Sequence, residues 1–204
     1  KTWDDVGPVK QRSMVAFSSD NGYTWQKHVT VAMDSQYRIL YWNGMFSRLE
    51  DNRILVMYWT KDSTTEKDLP IYATYSEDEG QRWLPPYHTG IVGQMGCTID
   101  AGENRVLAIY NRRDHEKPGI WTVISQNGGQ TWPQNGHSLL WDARGRDTIG
   151  SADEDNRGRS IYDEGLMAFG KPDVIRMADQ SFLVGFWCTS NFVMHLRYVK
   201  LVIA

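Results

Sequence analysis

The octapeptide "SSDNGYTW" (Ser18 to Trp25) recurs as "SEDEGQRW" (Ser76 to Trp83) and as "SQNGGQTW" (Ser125 to Trp132). The copies start 58 and 49 residues apart, close to the ~40–50 residues of one four-stranded propeller blade. Each copy places a glycine (Gly22, Gly80, Gly129) where a tight turn needs φ > 0. The carboxylates of Asp20 and Asp78 can accept the turn's backbone N–H groups, and Asn127 can do so through its amide oxygen without the charge. Ser18, Ser76 and Ser125 can close the loop with their hydroxyls. Trp25, Trp83 and Trp132 follow at a fixed offset, so each is expected to pack at the same place between neighbouring sheets, burying ~150–250 Å².

The sequence around the turns repeats as well. Each octapeptide follows a β-rich run, "RSMVAF", "IYATY" or "IWTVI". A strand–turn–strand pattern recurs as "FSRLEDNRILVMYW", "CTIDAGENRVLAIYN" and "VIRMADQSFLVGFWC". No window sustains a helical i, i+3, i+4, i+7 apolar pattern for three turns. One unit therefore reads as strand A, turn, strand B, loop, strand C, octapeptide turn, strand D. Residues 8–34 supply C and D of a first unit, 37–92 and 93–142 are complete units, and 170–204 supply A, B and C of a last one. The polar, Gly-rich stretch 143–169 is long enough to suggest a functional or disordered loop.

Composition narrows the function classes. A net charge of −3 gives no case for nucleic acid or a polybasic membrane contact. No apolar run approaches the ~20 residues that span a bilayer. Nine tryptophans in a chain with 12% aromatics suit inter-sheet packing or a sugar-binding surface. Cys97 and Cys188 lie in apolar strand-like runs and are expected as buried free thiols. "DEDNRG" (Asp153 to Gly158) resembles the start of a calcium loop but lacks the glutamate at EF-hand spacing. No metal or cofactor is expected.

S-x-D-x-G-x-T-W at blade spacing resembles the Asp-box (BNR) repeat of sialidases and related β-propellers. Ser18, Asp20, Gly22, Thr24 and Trp25 match it fully, while the second copy departs at Arg82 and the third at Asn127. The resemblance covers essentially the whole chain. It implies an all-β fold: residues 1–204 as one sialidase-like β-propeller of four-stranded antiparallel blades, about three and a half of them. It also implies that the boxes are peripheral scaffold. Because sialidase propellers have six blades, the chain is expected to be the C-terminal portion of a larger propeller or to close by self-association. The family favours a secreted or periplasmic location.

In propellers the D–A and B–C loops share one face, which commonly holds the site. On that face the sequence places Arg38 and Trp42 (with Tyr41), Lys61 and Asp62, Gln94, Arg112–Arg113–Asp114, Lys171 and Asp173. Sialidases hold a sugar carboxylate with three arginines and use a tyrosine nucleophile, a glutamate and an aspartate acid, outside the usual two-carboxylate scheme. Arg113–Asp114 resembles the family's "RD" after strand B. Gln94 and Lys171 stand where that family has its glutamate and tyrosine, and neither can replace them. Asp173, Glu164 and Tyr162 are the catalytic candidates. Arg112, Arg113, Asp114, Gln94, Lys171, Arg38 and Trp42 are the substrate-binding ones. The ligand expected is a carbohydrate, met by a glycoside hydrolase or divergent relative. The alternative is a non-catalytic propeller module that binds glycan or protein.

Overall fold

The computed structural model describes residues 10–94, 96–114, 116–144, 169–190 and 193–203. The described residues form thirteen strands and no helix. A first sheet pairs β1 (Ser13–Phe17) with β2 (Gln26–Ala32). A second contains β3 (Ile39–Arg48), β4 (Ile54–Asp62), β5 (Asp68–Ser76) and β6 (Tyr87–His88) in chain order. A third contains β7 (Gly96–Gly102), β8 (Arg105–Arg112), β9 (Gly119–Ser125) and β10 (Ser138–Asp142). The last contains β11 (Phe169–Arg176), β12 (Phe182–Ser190) and β13 (Val193–Leu201). Every pairing is antiparallel between sequence neighbours, as in propeller blades.

The two four-stranded sheets are buried on both faces, so their second strands read as near-continuous apolar runs rather than alternating ones. Along β4, Leu55 and Met57 face the third sheet while Val56 and Tyr58 face the first. Along β8, Val106, Ala108 and Tyr110 face the second sheet while Leu107 and Ile109 face the last. The outer strand β6 shrinks to Tyr87–His88. Pro85 and Pro86 precede it, and neither has an N–H to give to a ladder.

The three octapeptide turns share one hydrogen-bond plan. The N–H of Gly22, Gly80 or Gly129 donates to the serine hydroxyl four residues back, at 2.7, 2.7 and 2.9 Å. Each serine hydroxyl donates to Asp20, Asp78 or Asn127. That residue's Oδ1 accepts the N–H of Thr24, Arg82 or Thr131 at 2.8, 2.7 and 2.9 Å. The second contact adapts to sequence. The Thr24 hydroxyl donates to Asp20, the Arg82 guanidinium donates to Asp78, and in the third turn the polarity reverses, with Asn127 Nδ2 donating to Thr131 Oγ1.

The tryptophans differ from the uniform packing expected of them. Trp132 is 5% exposed and donates to the Tyr87 hydroxyl of the preceding sheet. Trp83 packs against the apolar cluster between the first and second sheets. Trp25 is 62% exposed. The cause is positional: each tryptophan packs on the sheet before its own, and among the described residues no sheet precedes the first.

Candidate functional site

The loops entering β3, β7 and β11 and those leaving β4, β8 and β12 lie at one end of the sheets, where side chains from three sheets converge. Arg113, just past β8, is 7% exposed. Its Nε–H and Nη2–H donate to the Phe169 carbonyl at 3.0 and 2.6 Å, and Nη1 donates to Gln94 Oε1 at 3.3 Å. The guanidinium fills the space that a Gly170 side chain would need. It also lies 5.9 and 6.0 Å from the Phe169 and Trp187 rings.

Gln94 is the junction. Its amide nitrogen donates to Asp68 Oδ2 at 2.6 Å, its N–H donates to the Asn111 carbonyl, and Asn111 Nδ2 reaches its Oε1 at 3.5 Å. Asp68 Oδ1 accepts from the Trp59 indole at 3.0 Å and faces Lys61 Nζ at 3.6 Å. Lys61 lies over the Trp59 ring at 5.3 Å, and Trp59 meets Trp42 edge-on at 5.5 Å. A continuous path therefore runs Trp42–Trp59–Asp68–Gln94–Arg113–Phe169. Asn111 is fully buried, and its Oδ1 has no described hydrogen-bond partner.

The remaining expected residues fall around this path. Arg112 points away from Arg113, pairing with Asp114 at 2.7 Å and lying over Trp121 at 5.7 Å. Burial raises the Asp114 carboxyl's pKa, but the Arg112 bond and two backbone N–H bonds outweigh it, leaving a net lowering. Arg38 is exposed and near only Asp34, at 3.8 Å. Tyr41 is core, its ring packed edge-on to Tyr58 and Tyr72, and burial pushes its hydroxyl up to about 12. Asp173 is exposed, and its Oδ1 accepts the Val174 N–H at 2.9 Å. Tyr162, Glu164 and the Asp153–Gly158 segment lie outside the described residues. Cys97 and Cys188 are both buried and free.

Beside the path, a cleft of about 140 Å³ opens between the first strands of three sheets, lined by Asn43, Gly44, Met45, Gly96, Lys171 and Pro172. Two register shifts shape it, one between Trp42 and Met45 in β3 and one between Gly170 and Asp173 in β11. Asn43 and Lys171 sit on these bulges with φ of 49° and 45°. Bulges re-aim side chains in this way. Sequence reasoning passed over Asp68, Trp59, Asn111 and Asn43. Trp59 alone was readable, since it sits directly opposite Trp42 in the ladder.

The sequence matches no family model and no curated protein. Solved structures resemble it in fold. A protein of unknown function from Dyadobacter fermentans aligns over 97% of this chain and 47% of its own, with TM-score 0.68 and 20% identity. A Hadza microbial sialidase aligns over 91% of this chain and 37% of its own, with TM-score 0.56 and 13% identity. A Bombyx mori GH32 beta-fructofuranosidase aligns over 84% and 35%, with TM-score 0.51 and 10% identity. The chain spans less than half the length of each of these proteins. At these identities the likeness is one of architecture: the chain has an all-β, sialidase-like propeller fold of four-stranded antiparallel blades.

Proposed function

We propose that this chain is the carbohydrate-recognising part of an Asp-box propeller, acting as a glycoside hydrolase or a divergent relative of one. The observation that carries the reading is the polar path from Asp68 through Gln94 to Arg113, which ties three sheets together at one end beside an open cleft. Strong polar groups held by packed strands, with indole rings at their flank, suit sugar hydroxyls and ring faces. The shared hydrogen-bond plan of the three turns supports their reading as Asp-boxes, scaffold at the periphery. Asp173 is the described acid/base candidate, with Glu164 and Tyr162 completing the set in sequence. Arg112 and Asp114 form the rim beside Trp121, and Arg38 lies further out.

A specific observation favours a non-catalytic module as the second reading. Gln94 stands where the family resemblance puts a glutamate, and its side chain is already engaged by Asp68, Arg113 and Asn111. A panel of chromogenic glycosides, sialosides included, separates the two. Turnover that Asp173→Asn or Glu164→Gln abolishes identifies a hydrolase. Glycan binding that survives both substitutions, without turnover, identifies a module. A protein that neither binds nor cleaves any glycan overturns the carbohydrate reading.

A further inference from the structure

Most of the cleft lining is explained by what packs behind it. A side chain on Gly44 would come within 2.7 Å of the Tyr58 ring, and one on Gly96 within 2.9 Å of the Ile109 carbonyl. Met45 packs against the apolar cluster between the third and last sheets, and Pro172 is buried. Asn43 and Lys171 remain. Both are exposed, both hold a left-handed backbone, and they come from bulges on different sheets. Asparagine tolerates that conformation; lysine gains nothing from it locally. Strain at a non-glycine residue beside a cleft is the kind of cost that persists where a side chain is used.

The electrostatics are uneven around these two residues. Lys61 is matched by Asp68, Arg112 by Asp114 and Arg38 by Asp34. Arg113 spends Nε–H and Nη2–H donors on the Phe169 carbonyl and Nη1 on Gln94. Among the described residues, Lys171 makes no ion pair. It is the one cation of the cleft lining, with an amide-bearing residue across from it. Arg113 fixes the carbonyl of Phe169 and fills the space beside Gly170, immediately before Lys171 in the chain.

We infer that Lys171 and Asn43 form a subsite for an oxyanion carried by the glycan, a carboxylate or a sulfate, and that Arg113 is the positioning residue that aims Lys171 into it. The inference rests on the carbohydrate reading above and sharpens it to an acidic sugar class. The Lys171 ammonium supplies a charge-assisted bond and the Asn43 amide a second donor. Arg113 itself stays with the backbone of β11.

The test is a glycan array bearing neutral, uronate-, sialate- and sulfate-containing oligosaccharides, followed by calorimetric titration of one oligosaccharide from each class that binds. The wild-type protein is expected to prefer anionic members, and the uronate, sialate and sulfate arms identify the source of the oxyanion. Lys171→Met is expected to lower the anionic-to-neutral affinity ratio about 10- to 100-fold, the worth of a hydrogen bond to a charged group. Lys171→Gly fits the backbone conformation, so it is expected to melt no lower than wild type while losing the same preference. Arg113→Met is expected to lower that ratio too, which a purely structural arginine would not do. Wild-type binding of neutral and anionic glycans with equal affinity, or a ratio that Lys171→Met and Lys171→Gly leave intact, overturns this inference and leaves the carbohydrate reading standing. Binding of no glycan overturns both.

Discussion

Asp20 and Asp78 are solvent-facing carboxyls, yet each is held at about 2, against an ordinary 3.8. The cause for Asp20 is first the Thr24 hydroxyl and then the Thr24 N–H; for Asp78 it is the Arg82 guanidinium and N–H. A folded-state value below the unfolded one adds stability that is complete above about pH 4 and is lost as pH falls toward 2. Asn127 fills the same place without a charge. Urea unfolding from pH 2.5 to 6 is therefore expected to show Asp78→Asn diverging from wild type as pH rises to about 4, then running parallel to it. A constant offset across that range would mean that the charge is irrelevant to the turn. The glycines of the same turns differ in what lies behind them. Gly22 has φ +90° and only Trp25 nearby, at 3.7 Å, so Gly22→Ala should cost about 1–2 kcal/mol from backbone strain. Gly129 has φ +81° with the Tyr75 hydroxyl at 3.1 Å and Leu55 at 3.2 Å, so Gly129→Ala should cost about 1–3 kcal/mol more through overpacking. Chemical denaturation of the two variants checks the order.

Between elements, the same motif position has unequal weight. Trp132→Ala empties a site buried against the second sheet and should cost about 3–5 kcal/mol. Trp25→Ala removes a largely exposed ring and should stay within about 0.5 kcal/mol. Equal losses in urea midpoints would contradict the packing described. The turns were legible in the sequence because their hydrogen bonds are local: Ser, Asp or Asn, and Gly act on neighbours within four residues. The strands were legible because "ILVMYW" and "RVLAIY" match sheets buried on both faces. The site was legible only in part. Arg113, Gln94 and Lys171 could be placed at the right end of the sheets by counting strands. Nothing in the sequence shows that Arg113 turns to the Phe169 carbonyl, that Asp68 completes the path, or that bulges re-aim Asn43 and Lys171. Those are tertiary contacts between residues 26 to 56 positions apart or backbone departures from ideal pairing.

At the scale of the molecule, the last sheet presents Met194, Leu196 and Tyr198 from β13, at 71%, 83% and 75% exposure, and Ile175 from β11 at 55%. Strand β13 is also an outer strand of its sheet, with one edge unpaired among the described residues. Contiguous apolar surface next to an open edge promotes association. A dye that reports exposed apolar surface is expected to bind the protein, and Leu196→Lys to reduce that binding without lowering the melting temperature. A strong drop in melting temperature would show that Leu196 is supported by packing instead. The two octapeptide tryptophans that are packed, Trp83 and Trp132, both rest on the sheet before their own. That gives the ring of sheets an arrow. A ribosome releases the receiving surface first and the docking indole afterwards, so each of these two joints can shut as soon as its turn emerges. The growing chain then leaves uncovered only the wall of its newest sheet, and the direction of packing becomes an order of events during synthesis.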